Sequence, residues 1–145
     1  LPDSLHSEIV SEKAVIQSPN LTNTNLDSII SSNKLTLVFV WKANCTYCKE
    51  QIPYLYDIYH KYQQSGLEIV GIAITTGSND WRSVVEEADF PWVNTGVGPG
   101  VKLGFPHTPY LYVLDNNQNV LSRYTKGSAL VKFIDSHFAI SNNEE

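Results

Sequence analysis

The chain of 145 residues has no methionine and only two cysteines, and it sets ten lysines and arginines against fifteen aspartates and glutamates. Each shortage excludes something. Two cysteines are too few to staple a small scaffold, so an apolar core must hold the fold. A formal net charge of −5 argues against nucleic acid or an anionic membrane as the main partner, because both attract cationic surfaces. The longest apolar runs fall far short of the roughly 20 residues that cross a bilayer. The lack of Met, even at position 1, reads as a processed or trimmed segment, with any signal peptide or membrane anchor lying upstream. Apolar residues at 42% and charged residues at 17% describe a globular chain. The length suits one domain with a single sizeable core.

Both cysteines sit in one stretch, Val40-Trp41-Lys42-Ala43-Asn44-Cys45-Thr46-Tyr47-Cys48-Lys49-Glu50-Gln51-Ile52-Pro53. An apolar run, Leu35 to Val40, leads in, and a helical pattern leads away. Two thiols at this spacing, where a strand meets a helix, can close a disulfide and reopen it. The attacking species is a thiolate, and a helix N-terminus offers unpaired N–H groups and a partial positive charge that favour it. Cys45 is placed at that end, with Asn44 as a good N-cap type. Cys45 is therefore the candidate nucleophile and Cys48 the resolving thiol.

Two plainer roles are weaker. A structural zinc site wants a second ligand pair at close spacing, and His6, His60, His107 and His137 are scattered. A permanent disulfide across so short a loop constrains the unfolded chain little. Neither a resident metal nor a cofactor is expected.

Along the chain, Ile9, Val10, Ala14, Val15 and Ile16 form an alternating stretch suited to an edge strand or hairpin, ended by Pro19-Asn20. Leu21 to Asn33 reads as a helix with Leu26, Ile29 and Ile30 on one face. Leu35 to Trp41 reads as a central strand buried on both faces. Cys45 to Gln64 is the longest helical pattern, with Ile52, Leu55, Ile58, Tyr59 and Tyr62 inward, Pro53 as a kink and Gly66 as the C-cap. Leu67 to Ile74 is a second buried strand, Asp80 to Ala88 a helix, and Phe90 to Asn94 a short extended segment. Thr95 to Pro106 reads as a Gly- and Pro-rich loop with one helical turn at Val101–Leu103. Its glycines follow no phosphate-loop pattern. Pro109 to Leu114 and Val120 to Tyr124 form a hairpin around Asp115–Asn119. Gly127 to Ile140 is a final helix with Leu130, Val131, Phe133, Ile134 and Phe138 inward. Parallel strands with crossover helices come first and an antiparallel pair last, which makes an α/β fold: a three-layer sandwich with a mixed sheet.

These residues together resemble the thioredoxin-like superfamily, and more closely its exported TlpA/ResA-like thiol–disulfide oxidoreductases. The resemblance rests on Trp41 four positions before the first cysteine, the Cys45-Thr46-Tyr47-Cys48 motif, Pro53 five after the second cysteine, Thr108-Pro109 before a strand, and Tyr110 to Asp115. It covers about residues 21–140, leaving 1–20 as an N-terminal extension or edge strand and 141–145 as a frayed tail. The resemblance implies the thioredoxin fold and a cis bond at Thr108-Pro109 set against the CxxC. It also implies a Thr108 backbone free to pair with a substrate strand. Trp41, Tyr47, Thr108 and Pro109 are the expected substrate-binding residues, with Tyr110 beside them on an apolar rim.

The resemblance further implies an exported, periplasmic or extracytoplasmic enzyme acting in electron transfer. Disulfide-containing or dithiol proteins are its substrates, and an upstream partner renews it. Some positions depart from the pattern. Asn44 stands where Trp often precedes the first cysteine. Phe39 stands at the position of thioredoxin's buried carboxylate, and Asp80 is the nearest candidate for the related branch's glutamate, although it reads first as a solvent-facing N-cap. No strong internal base is expected, and resolution by Cys48 is expected to be slower. Lys42 and Lys49 read as solvated side chains. His107 reads as a loop histidine, although copper handling by Cys45, Cys48 and His107 is the main alternative function. An oxidant or isomerase of disulfides is a further one. A peroxide-reducing enzyme would want Pro-x-x-x-Thr-x-x-Cys, which is absent before Cys45.

Overall fold

Residues 15–18, 21–74, 81–97 and 108–143 are described by this computed structural model. Its centre is built from the chain's β-branched and aromatic runs. Strand β3 (Leu35–Trp41) is buried at every position, as a strand covered on both faces must be. It pairs in parallel with β4 (Leu67–Ile74) and antiparallel with β6 (Tyr110–Asp115). Strand β5 (Val93–Val97) extends the sheet beyond β4 in parallel, and β7 (Val120–Tyr124) extends it beyond β6 antiparallel. The order is β5-β4-β3-β6-β7. Parallel neighbours need a crossover. Helix α2 (Thr46–Tyr62) lies between β3 and β4, and α3 (Trp81–Ala88) between β4 and β5. The antiparallel pair needs only a turn, and the Asp115 carboxylate organises it by accepting from the Asn117 and Asn119 amides, both at 2.9 Å.

Alternate side chains of β3 enter two different cores. Leu35, Leu37, Phe39 and Trp41 join Leu55 and Ile58 of α2, Trp81 and Val85 of α3, and Leu130, Ile134 and Phe138 of α4 (Gly127–Asn143). Val38 and Val40 join Val70, Ile72, Tyr112 and Leu114 under Leu26, Ile29 and Ile30 of α1 (Leu26–Ser32). The result is the expected three-layer α/β/α sandwich around a mixed sheet.

Three boundaries differ from the sequence reading. Leu21 to Asn33 is not one helix. Residues Leu21–Asn25 form strand β2, which pairs antiparallel with β1 (Val15–Ser18) as a separate two-stranded sheet, and α1 starts at Leu26. Thr22, Asn23, Thr24 and Asn25 are poor helix formers, and the i, i+3, i+4 apolar spacing begins only at Leu26. The two paired strands thus lie on either side of residue 20. The extended segment expected at Phe90–Asn94 is a strand at Val93–Val97, because Phe90 and Trp92 turn into the α2-side core. Helix α4 runs on to Asn143 instead of ending near Ile140. The expected turn at Val101–Leu103 lies outside the described residues. At the end of α2 a short 3-10 turn, Gln63–Ser65, passes into Gly66 at φ 111°, the left-handed conformation that a glycine cap supplies.

Candidate functional site

The carboxyl end of β3 delivers the chain straight into the first turn of α2, where both cysteines lie. Cys45 itself is the N-cap, with extended φ −100° and ψ 106°, and its sulfur accepts the Cys48 N–H at 3.1 Å. Asn44 does not cap. The helix begins one residue later than its position requires, and the sulfur takes the place a Ser or Asp oxygen usually holds. Cys45 and Cys48 are joined as a disulfide with 5.2 Å between their α-carbons, an ordinary span for such a bridge. The two sulfurs differ in access: Cys45 is half-buried, and Cys48 is fully buried in the α2-side core.

The start of β6 closes the site from the other side. Val40 pairs with Tyr110, which brings the residues before Tyr110 to the carboxyl end of β3. The Thr108–Pro109 peptide bond is cis, and Pro109 is buried. The Thr108 hydroxyl lies 4.0 Å from the Cys45 sulfur, within reach for donation to sulfur. Only the Thr108 backbone carried an expectation, and the side-chain contact could not be seen before β6 was placed beside β3.

The aromatic rim needs one correction. Trp41 is fully buried. It lies parallel to Phe39 with ring centroids 6.1 Å apart and meets the edge of Phe90 at 5.7 Å. The alternation of β3 turns Trp41 to the same face as Phe39, beneath α2, so it forms the floor of the site and not its rim. Tyr47 is 43% exposed and Tyr54 42%. With Glu50, Gln51, Lys126 and Ser128 they line a groove of about 280 Å³ along the first turns of α2. A neighbouring cleft of about 290 Å³ is lined by Tyr110, Arg123, Tyr124 and Lys126 among others.

Gln51 was missed in the sequence. It is 5% exposed, its side-chain N–H donates to the Tyr47 carbonyl at 3.1 Å, and its oxygen accepts the Gly127 N–H at 2.7 Å. It thereby ties the motif's first turn to the start of α4. The available signal was a polar residue at a helical position whose neighbours at plus one and plus four, Ile52 and Leu55, are core.

Among the described residues no aspartate or glutamate is fully buried, and Phe39 puts a ring at the carboxylate's position. Burial pushes the Glu68 carboxyl above its usual range, opposed by its bond from the Ile69 N–H. Glu68 pairs across from Thr36, however, at the end of the sheet remote from Trp41 and the CxxC. Burial also raises Tyr56 and Tyr59, whose hydroxyls donate to the Ala88 and Pro91 carbonyls and pin α2 to the end of α3 and to the segment after it. Asp80 and His107 lie outside the described residues. Among the described residues no cluster of His, Cys, Asp and Glu could hold a metal ion, and no helix is long and apolar enough to cross a membrane.

No curated protein matches the chain at a significant level. Solved structures do. A thiol:disulfide interchange protein from Bacteroides sp. shares 20% identity over 84% of this chain and 83% of that one, with a TM-score of 0.71. The thioredoxin domain of a thiol–disulfide oxidoreductase from Bacteroides vulgatus shares 19% over 80% and 86%, with a TM-score of 0.68. A secreted disulfide oxidoreductase of Mycobacterium tuberculosis, homologous to E. coli DsbE, shares 14% over 86% and 96%, with a TM-score of 0.69. At these identities the likeness is one of fold, and it is the thioredoxin-like fold. The sequence model of the AhpC/TSA family matches residues 13–142, and the chain belongs to that family.

Proposed function

We propose that this protein is a thiol–disulfide oxidoreductase that reduces disulfides of exported partner proteins. The observation that carries the reading is the unequal pair: a half-buried Cys45 whose sulfur faces the Cys48 N–H and the Thr108 hydroxyl, bonded to a fully buried Cys48. Hydrogen-bond donors aimed at a sulfur favour its thiolate.

In the reduced protein, the Cys45 thiolate attacks one sulfur of a partner's disulfide. A Cys45–partner bond forms, the partner's own S–S bond breaks, and the released partner thiolate takes a proton. Cys48, as a thiolate, then attacks the Cys45 sulfur. The Cys45–Cys48 bond forms, and the second partner thiolate leaves and takes up the proton that Cys48 gave. The partner gains two electrons and two protons, and a donor dithiol must restore Cys45 and Cys48. With no core carboxylate at the Phe39 position, the proton from Cys48 passes to solvent or to the departing thiolate. The groove beside Tyr47 and the cleft beside Tyr110 give an extended partner segment somewhere to lie. Export is supported by the likeness to a secreted oxidoreductase.

The test combines a potential with two variants. A reduction potential for the Cys45–Cys48 couple near or below about −250 mV identifies a reductant, and one near about −120 mV identifies an oxidant and overturns the direction. Cys45→Ser is expected to abolish disulfide exchange, and Cys48→Ser to trap the mixed disulfide with the partner. Exchange that survives in Cys45→Ser would falsify the assignment. Peroxide turnover requiring Cys45 but not Cys48 would favour the peroxidase alternative, although Val38 and Lys42 stand where its Pro and Thr belong.

A further inference from the structure

Three buried polar atoms on the α2 side of the sheet have no hydrogen-bond partner: the indole nitrogens of Trp41 and Trp92 and the amide oxygen of Asn94. All three residues are withdrawn from solvent, at 0%, 2% and 0% exposure respectively. Trp41 ends β3 while Trp92 and Asn94 flank the first residue of β5, yet all three point at one place. A β-carbon built on Gly71 would stand 2.6 Å from Asn94 Oδ1, 3.4 Å from Trp41 Nε1 and 3.5 Å from Trp92 Nε1.

The register explains the convergence. Phe39, Gly71 and Asn94 form one row across β3, β4 and β5, and Trp41 follows on the same face of β3. Where β4 has only a glycine hydrogen, the neighbouring side chains lean in. The Asn94 amide is oriented by its own N–H, which donates to the Trp92 carbonyl at 2.7 Å and leaves the oxygen toward Gly71. The count of groups is two donors and one acceptor. Buried polar groups left without partners cost stability, and native interiors satisfy nearly all of them. A water molecule has the complementary set: its two lone pairs accept from the indoles, and one of its hydrogens goes to the amide oxygen. Buried waters characteristically make about three such bonds to groups that lack other partners.

We propose that Trp41, Trp92 and Asn94 form a binding site for one buried water molecule beside Gly71. The water ties the tryptophan that precedes the CxxC to Asn94 of β5 and to Trp92 just before it. Trp41 stacks on Phe39 and shares its core with Cys48, so the water anchors the floor beneath the disulfide to the outer part of the sheet. Phe90 meets Trp41 edge-on at 5.7 Å and lies tilted against Trp92 at 4.9 Å, and the burial of all three residues makes the water long-lived. The site is independent of the direction of electron flow and of the partner.

The experiment uses the full oxidised chain labelled with nitrogen-15, in which the three tryptophans give three indole N–H signals. Water-selective cross-relaxation is read at each. Trp41 and Trp92 are expected to show contact with a long-lived water, and Asn94→Leu is expected to remove both contacts while leaving the Trp81 signal in place. An unmodified protein in which neither indole meets such a water overturns the proposal, as does Asn94→Leu with both contacts intact. Crystals of the unmodified protein decide the matter without any variant. A density peak within about 2.7–3.2 Å of all three atoms supports the site, whereas an Asn94 oxygen bonded directly to an indole overturns it.

Discussion

On its α1 side the sheet packs mostly aliphatic side chains: Leu26, Ile29, Ile30, Val38, Val40, Val70 and Ile72. On its α2 side it packs Phe39, Trp41, Trp81, Phe90, Trp92 and Phe138 together with Cys48. The difference follows from what each side has to do. The α1 side excludes water chiefly with branched aliphatic chains, which suit a pleated surface, and buries the hydroxyl-bearing Tyr112 and Thr36 among them. The α2 side carries the helix that presents the disulfide. Its aromatic rings bury large areas while bringing indole N–H and phenol O–H groups that need partners. Tyr56 and Tyr59 find theirs on the carbonyls of Ala88, at the end of α3, and Pro91, just beyond it.

This contrast is open to tests on both sides of the sheet. Ile30→Ala, in the aliphatic core, is expected to lower stability by about 2–5 kcal/mol and to leave the potential of the cysteine couple unchanged. Urea unfolding and a redox titration read the two effects, and a potential that moves with the stability would show that the faces are not separable. Gln51→Leu acts on the other side. It strips the buried Gly127 N–H of its acceptor, with an expected loss of about 1–3 kcal/mol and slower exchange as the first turn of α2 loosens.

Thr108→Val removes a donor facing the Cys45 sulfur. A donor favours the thiolate, so its loss is expected to raise the Cys45 pKa in the reduced protein and slow exchange by about fivefold, near 1 kcal/mol. The pH dependence of Cys45 alkylation measures it, and an unchanged profile would remove Thr108 from the site.

The smallest effect is expected at Glu68. Its carboxyl is pushed up by burial, so the folded protein favours the protonated form. That contribution is complete below the ordinary glutamate pKa and is lost as pH rises through the folded value. Glu68→Gln is therefore expected to raise stability slightly at neutral pH and to bring no gain in acid, as thermal unfolding at both pH values would show. An equal gain at both would rule out titration as its source.

The central strands were legible because Leu35 to Trp41 and Leu67 to Ile74 are continuous apolar runs, and burial of every such side chain leaves few alternatives. The hairpin was legible because Asp115 and the asparagines after it carry their own turn chemistry. Leu21 to Asn25 was misread because its threonines and asparagines have weak preferences, and pairing with β1 outweighed them. At the site, the cysteine spacing stood in the sequence. The half-buried state of Cys45 and the full burial of Cys48 did not, and nor did the inward turn of Trp41.

By itself, then, the sequence determined the elements whose information is local: the apolar runs, the turn residues and a CxxC at the start of a helix. Only the tertiary structure decided that the Thr108 hydroxyl faces Cys45, that Gln51 reaches Gly127, and that Trp41, Trp92 and Asn94 meet over Gly71. Those contacts join residues up to 76 positions apart. They depend on strand register and helix placement, and a shift of one residue along a strand would turn each side chain to the opposite face.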